Sequence, residues 1–377
     1  MKQYWATFTK VFIGLLERPM WMMLLLSLCI MSLVYVNRTV WDLPVAVVDM
    51  DHSPASRLLV RSLDATPKVK AVAYSSLDEA IVDLQWRKLF AVMILPVDLE
   101  KKLLAGTSVA IPVFGDATNR LSNGQIQIDV QAAYQQMLSA YDTQLMLQNG
   151  FNYRQAEVIL TPIRSRTEGV FNPGVSFAAI VFPGLLVMLL QHSLMIASVR
   201  VSIVLRMQGK PSLPTYLGGL SALLPIWLFL SIVLFILWPW LLGYRQTAGI
   251  GEILLLTFPF LLAVLGLGRF LTECLRSVER IYLTLSFITT PVFYISGTIW
   301  PLQAQPAWVS AVSSMLPSTW ATKAIAGVNQ MGLSWHEVLY DVAMLLLLGA
   351  FYTVMGMMVA LLHDSARLRG LWRKVRR

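Results

Sequence analysis

A single uncharged apolar run, Met20 to Val36, is followed by residues 37–174, which read as water-compatible, and then by five more apolar stretches crowded into the rest of the chain. In hydrocarbon every backbone amide must be satisfied within its own segment, so an apolar stretch of about 17 to 25 residues has to be a helix. The stretches fall at roughly 20–36, 175–199, 217–243, 250–272, 281–300 and 339–362. They predict a polytopic α-helical membrane protein with six spans and a folded extracytoplasmic domain inserted between spans one and two. Composition excludes a soluble alternative, because 56% of residues are hydrophobic, 14% are charged and the mean hydropathy is +0.62.

Lys2, Lys10 and Arg18 precede the first run, as they would in a secretory signal, but Asn37, Arg38 and Thr39 follow it with no small-residue cleavage site. It is therefore expected to remain as an anchor. Basic residues then orient the spans. Lys2, Lys10 and Arg18, then Arg200, Arg206 and Lys210, then Arg276 and Arg280, and six in the tail from Arg367 to Arg377 all fall on one side, against Arg245 and Lys323 in the short connections of the other. This asymmetry puts both termini in the cytoplasm and the insert outside. The net charge of +9 is thus a topology signal and not a nucleic-acid footprint. Leu371 and Trp372 among the tail arginines fit contact with anionic headgroups. Trp5, Phe8, Val11, Phe12, Leu15 and Leu16 recur near helical spacing, predicting an amphipathic helix along the inner face before Pro19.

The insert alternates strand-like and helix-like patches. Leu43 to Val48, Val69 to Ala73, Phe90 to Leu95, Val109 to Phe114 and Val158 to Ile163 read as strands; helices are expected up to about Leu63, over Ser76 to Arg87 with Ser76 and Glu79 as a capping pair, at about 98–105, and over Asn123 to Gln148. The pattern predicts a compact α/β domain. Its chemistry is sparse. His52, with Asp49 and Asp51 beside it, suits a polar turn that caps a helix better than a catalytic or metal site. There is no G-x-S-x-G elbow, no H-E-x-x-H pair and no phosphate-binding G-x-x-x-x-G-K-[ST] loop in the sequence. Of the two cysteines, Cys29 lies within the first span and Cys274 at the inner end of the fourth, neither in the insert, so neither a disulfide framework nor a metal site is expected.

After the fifth span the chain reads Ser296, Gly297, Thr298, Ile299, Trp300, Pro301, then Pro306, Ala307, Trp308, and Leu316, Pro317, Ser318; Phe171, Asn172 and Pro173 stand before the second span. With one span, an outward α/β domain and five further spans, this resembles the permease subunit of bacterial type-2 ATP-binding-cassette exporters, over nearly the whole chain. The resemblance implies four regions: an inner-face helix and first span at 1–36, a periplasmic domain at 37–174, a five-span membrane domain at 175–366 and a basic cytoplasmic tail at 367–377. It also implies a dimeric pore in the inner membrane, a separate ATPase chain that binds ATP and magnesium, and a periplasmic adaptor. Under it Ser296, Gly297, Pro301, Pro306, Trp308 and Pro317 form an outer re-entrant segment; an amphipathic loop on the headgroups is the other reading.

One departure matters. Similar permeases carry an acidic Arg-Glu-x-Glu-x-Gly-Thr stretch after the second span, where the ATPase docks, but Arg200 to Lys210 here holds no carboxylate. Either a sister permease keeps that motif, making a heterodimer, or Arg200, Arg206, Gln208 and Lys210 form a basic contact of their own. A membrane-anchored assembly or sensor protein without transport is the rival from another class. Within the spans, Gln191 and His192 are candidates for the pathway or for a bond between helices. Arg269 and Glu273, one turn apart, are expected to pair at the headgroup boundary. Pro183, Pro225, Pro239, Pro259 and Pro291 predict kinks.

Overall fold

The computed structural model describes every residue except 18, 35–40, 161–170, 172–176, 208–211, 245, 376 and 377. It divides into two compact units, one built mainly from residues 1–36 and 178–377 and the other from 37–169.

The chain opens with α1 (Lys2–Glu17) and, after a short 3-10 turn, α2 (Met23–Val34). The second unit then runs β1 (Leu43–Asp49), α3 (Pro54–Asp64), β2 (Val69–Tyr74), α4 (Leu77–Gln85), β3 (Ala91–Leu95), α5 (Leu99–Leu104), β4 (Val113–Gly115), α6 (Arg120–Gln148) and α7 (Tyr153–Leu160). The sheet order is β2-β1-β3-β4, with β1 parallel to both neighbours and β4 antiparallel to β3. The crossover through α3 steps one way from β1 and the crossover through α4 steps back past it. With one crossover hand, that reversal puts the two helices on opposite faces. The side chains agree: Val45 and Val47 pack with Leu59 and Leu63 of α3 and with Ile126 and Val130 of α6, whereas Ala46 and Val48 pack with Ala80 of α4 and Val92 of β3. A strand covered on both faces has no polar side, which is why β1 reads as an unbroken apolar run.

The polar turn after β1 does more than cap one helix. Asp49 accepts the N–H groups of Asp51 and His52 at 3.0 Å and the Ser56 hydroxyl at 2.7 Å, and Ser53 caps α3 by accepting the Ser56 N–H. Asp51 reaches across to α5, accepting the N–H groups of Leu99 at 3.0 Å and Glu100 at 3.2 Å. The His52 side chain is 81% exposed. Partial burial pushes the Asp51 carboxyl up, but the bonds it accepts from Ser53, Glu100 and Leu99 outweigh burial and hold it below the usual carboxylate range. Asp51→Ala is therefore expected to cost about 1 kcal/mol, as loss of a helix cap does, and to speed amide exchange over 99–104 in the intact chain. A carboxyl depressed in the folded state contributes stability that is present above the ordinary Asp value of about 3.9 and is lost as pH falls through the folded value. Acid should thus loosen α5 in the native chain and have little further effect in the variant.

Three expectations for this unit need correction. No strand starts at Val158; residues up to Leu160 belong to α7, and 161–163 lie outside the described residues. Asn152 and Gln155 explain it, because each side chain accepts the other's backbone N–H, at 2.9 and 3.0 Å, and starts a helix that buries Ala156. The strand expected over Val109 to Phe114 is confined to Val113–Gly115, and Ser76 begins α4 without a side-chain bond.

The first unit continues with α8 (Phe177–Met207), α9 (Leu213–Ser221), α10 (Leu224–Ile232), a π-helical stretch at Val233–Leu237, α11 (Trp238–Leu242), α12 (Ile250–Leu275), α13 (Val278–Ile295), α14 (Ala307–Ser314), α15 (Pro317–Met331) and α16 (Leu339–Val375). Four helical segments among the described residues are long and apolar enough to cross a membrane: Ala179–Arg206, Leu213–Leu242, Ile250–Leu275 and Trp335–His363. The helices at the first and fifth expected spans are shorter, 12 residues in α2 and 18 in α13. Pro225 and Pro239 stand at the starts of α10 and α11 and divide that segment, while Pro183, Pro259 and Pro291 lie inside α8, α12 and α13.

Two packing features organise this unit. α1 docks on α9: Tyr4 donates its hydroxyl to Ser221 at 2.7 Å, and a side chain at Gly218 would strike the Tyr4 carbonyl oxygen at 2.5 Å. Val11 and Leu15 enter the core with Trp21, whose ring N–H donates to the Leu15 carbonyl. α12 and α16 run parallel, Ala263 lying against Gly349 and Phe270 against Gly356. A Cβ at Gly266 would come within 2.5 Å of the Gly349 carbonyl oxygen, so backbone touches backbone there. Small residues permit that approach, and close packing is what holds helices together where lipid offers no hydrophobic drive.

Candidate functional site

The segment after α13 is built by helix breakers. Ser296 ends α13, its hydroxyl donating to the Phe293 carbonyl at 2.8 Å; Gly297 follows at φ 91°, a conformation in which a side chain is strained, and a Cβ there would meet Leu302 at 2.8 Å. Pro301 precedes a 3-10 turn, Pro306 precedes α14 and Pro317 opens α15. Each proline sits where its missing N–H would have no helical partner. The three tryptophans divide. Trp300 and Trp308 are exposed, whereas Trp320 donates its ring N–H to the Ser314 carbonyl at 2.7 Å.

The two helices are tied inward. Ser313 donates to the Ile295 carbonyl at 2.7 Å, Gln305 donates to the same oxygen at 3.1 Å, and the Tyr352 hydroxyl of α16 donates to the Met315 carbonyl at 2.8 Å. Tyr352 stands about 20 Å along α16 from Leu339 at about 1.5 Å per residue. The turn between α14 and α15 is held against the side of α16, and Trp320 of α15 packs edge-on against Tyr340 near the start of α16. Most of α15 is buried, including Pro317, Ser318, Thr319, Ala324 and Asn329. Its far end is held by Thr247, which donates its N–H to the Asn329 carbonyl at 2.9 Å, and midway Lys323 pairs with the buried Asp341 at 2.9 Å.

Gln191 and His192 lie on α8. His192 Nδ1 is 2.8 Å from the Thr289 hydroxyl of α13, and that hydroxyl donates its own proton to the Leu285 carbonyl. Thr289 must then accept from His192, which fixes Nδ1 as protonated and leaves Nε2 as an acceptor. Thr289→Val should cost about 0.6 kcal/mol in thermal unfolding, the average for a polar bond between membrane helices. Gln191 is 8% exposed, and its side-chain oxygen has no hydrogen-bond partner among the described residues.

A polytopic core with a hairpin of short helices bound beside its last long helix is the arrangement now on the page, and a family model for ABC-2 family transporter proteins matches residues 20–358. The chain belongs to the ABC-2 family of transporter proteins. As an ABC-2 transporter protein it is a multi-pass membrane component and not the nucleotide-binding one. It is also similar to ABC transporter G family member 20 of Dictyostelium discoideum, 24% identical over 338 residues that cover 86% of this chain and 45% of that relative. The chain thus spans a little under half the length of that curated relative.

At the opposite end of α8 in this ABC-2 protein, Arg206 occupies the last turn and Arg200 lies one and a half turns before it. Gln208 and Lys210 lie outside the described residues. The expected Arg269–Glu273 pair does not form. Arg269 donates to the Tyr216 hydroxyl at 2.6 Å and stacks on that ring, and Glu273 lies 3.8 Å from Arg276. A flat guanidinium covering a ring suits a half-buried arginine, while the carboxylate one turn away lies beside Arg276 instead. Sequence reading missed Thr289, Tyr216, Asp341 and Tyr352. Only Asp341, a lone acid opening a long apolar run, carried a visible signal.

Proposed function

We propose that this chain is the permease subunit of a bacterial ATP-driven exporter and forms half of a dimeric pore in the inner membrane. It crosses six times, with α2 and α13 as the shorter crossings, both termini cytoplasmic and the α/β domain in the periplasm. Two ATPase chains binding ATP and magnesium drive it from the cytoplasm, a sister permease supplies the acidic docking motif missing here, and a periplasmic adaptor receives cargo from the outer domain. Arg200, Arg206, Gln208 and Lys210 form this half's own contact with the ATPase. Ser296, Gly297, Pro301, Pro306, Trp308 and Pro317 shape a re-entrant lining of the exit, and Gln191 offers an unpaired acceptor beside the pathway.

The observation that carries this reading is the hairpin of α14 and α15 held against the long apolar helix α16 by the Tyr352–Met315 bond. Irregular backbone at membrane depth is tolerated only where it is enclosed by protein or lines a water-filled cavity, and a simple anchor has no use for it. The test is co-expression with candidate ATPase and permease chains, purification through a tag on this chain, and ATP-dependent transport in vesicles. Recovery of an ATPase together with a second, different permease is the expected result. A complex that turns over with this chain as its sole permease would remove the heterodimer, and recovery of neither partner would remove the exporter. Maleimide labelling of intact cells should reach a cysteine introduced at Ser139 and miss one in the tail.

A further inference from the structure

The α/β unit carries a cleft of about 520 Å³ between α3, α5 and the C-terminal half of α6, a size typical of sites for small ligands. One wall is cationic. Arg57 and Arg61 lie one turn apart on α3, both line the cleft, and neither guanidinium is ion-paired among the described residues. Arg57 donates only to the His52 carbonyl, at 3.1 Å. The nearby carboxylate of Glu100 is already engaged, accepting the Tyr141 hydroxyl at 3.1 Å. The remaining surface mixes aliphatic side chains with Glu100, Tyr141, Asp142, Gln144 and Gln148: Leu58 and Leu103 are half-buried, and Leu138 and Leu145 of α6 are 40% and 51% exposed.

We infer that this cleft binds an amphiphile with an anionic head, its phosphate, sulfate or carboxylate held by Arg57 and Arg61 and its hydrocarbon laid on Leu58, Leu103, Leu138 and Leu145. Two guanidiniums one helical turn apart present forked donors that match an oxyanion, and such charge-assisted bonds are stronger than neutral ones. Leucines left open to water beside them gain by covering with a chain, which a bare inorganic anion does not supply. Glu100 and Asp142 also line the cleft and set a limit, since their charges oppose an anion. The inference rests on this unit's geometry alone and does not require the transport reading.

The experiment is calorimetric titration of octyl phosphate, below its micelle concentration, into the full chain in phosphatidylcholine nanodiscs, with empty nanodiscs subtracted. One saturable site per chain is expected. Arg57→Gln with Arg61→Gln should weaken it at least about tenfold, the loss of roughly 1.4 kcal/mol of head-group binding, while Asp142→Asn should tighten it. Octyl glucoside, with the same tail and no charge, and inorganic phosphate, with the charge and no tail, should each bind at least about tenfold more weakly than octyl phosphate. Equal binding of octyl glucoside would reduce the cleft to an apolar groove, and equal binding of inorganic phosphate would reduce it to an anion site; either overturns the proposal. So does heat no greater than that of empty nanodiscs, or a double variant that binds as the parent does. Both arginines are exposed, and Asp142→Asn predicts a gain, which a misfolded protein does not give.

Discussion

Gly266→Ala is expected to be among the most damaging single-methyl changes in the membrane unit, lowering stability by about 3 kcal/mol, the upper end of the usual cost of overpacking. The new carbon would lie 2.5 Å from a backbone oxygen of Gly349, and a carbonyl inside α16 cannot rotate away as a side chain can. Relief requires the two helices to separate along their length. The same substitution elsewhere grades the effect. At Gly349 and Gly356 the nearest atoms would be at 3.1 and 3.2 Å, so a shift of a few tenths of an ångström suffices and the cost should be smaller. At Gly251, near the start of α12, nothing lies within 4 Å, and the helix-forming advantage of alanine should leave stability unchanged or slightly raised. Thermal unfolding in nanodiscs monitored by intrinsic fluorescence would read the series. If Gly266→Ala melts no earlier than Gly251→Ala, the backbone contact between α12 and α16 is not what holds this unit.

The second large effect is functional. Reversing two charges, with Arg206→Glu and Lys210→Glu, should cut recovery of the ATPase in pull-downs at least about tenfold, equivalent to roughly 1.4 kcal/mol of binding. Arg206 is in the last turn of α8, where the helix dipole favours a cation, so local destabilisation should stay within about 1 kcal/mol and the chain should still insert. Recovery of the ATPase should fall while the melting temperature holds. Unchanged recovery would move the docking surface elsewhere on the chain.

Hydropathy made the four long apolar helices legible because a bilayer accepts few backbone solutions, and unbroken apolar runs marked β1 and β3 through the burial of both sheet faces. The breakers Gly297, Pro301, Pro306 and Pro317 marked the hairpin of short helices, but not its docking on α16, which depends on Tyr352 bonding to Met315 from another helix. Val158 to Leu160 was misread because three apolar residues fit a strand or a helix equally, and the deciding signal, Asn152 with Gln155, lay upstream of them. Arg269 was misassigned for a related reason. Spacing along one helix identifies Glu273 as a neighbour but says nothing of Tyr216, brought in by a different element. His192 and Thr289 likewise meet only through the crossing of α8 and α13.

The parallel pairing of α12 with α16 has a bearing on biogenesis. A nascent chain emerges from the N-terminus, so α12 enters the bilayer while its mate is still untranslated, and the groove at Gly266 first meets acyl chains. Only when α16 is released can that surface be sealed. Any product truncated before Leu339 would carry an unsealed α12, a mark by which a membrane quality-control protease could tell it from the finished protein.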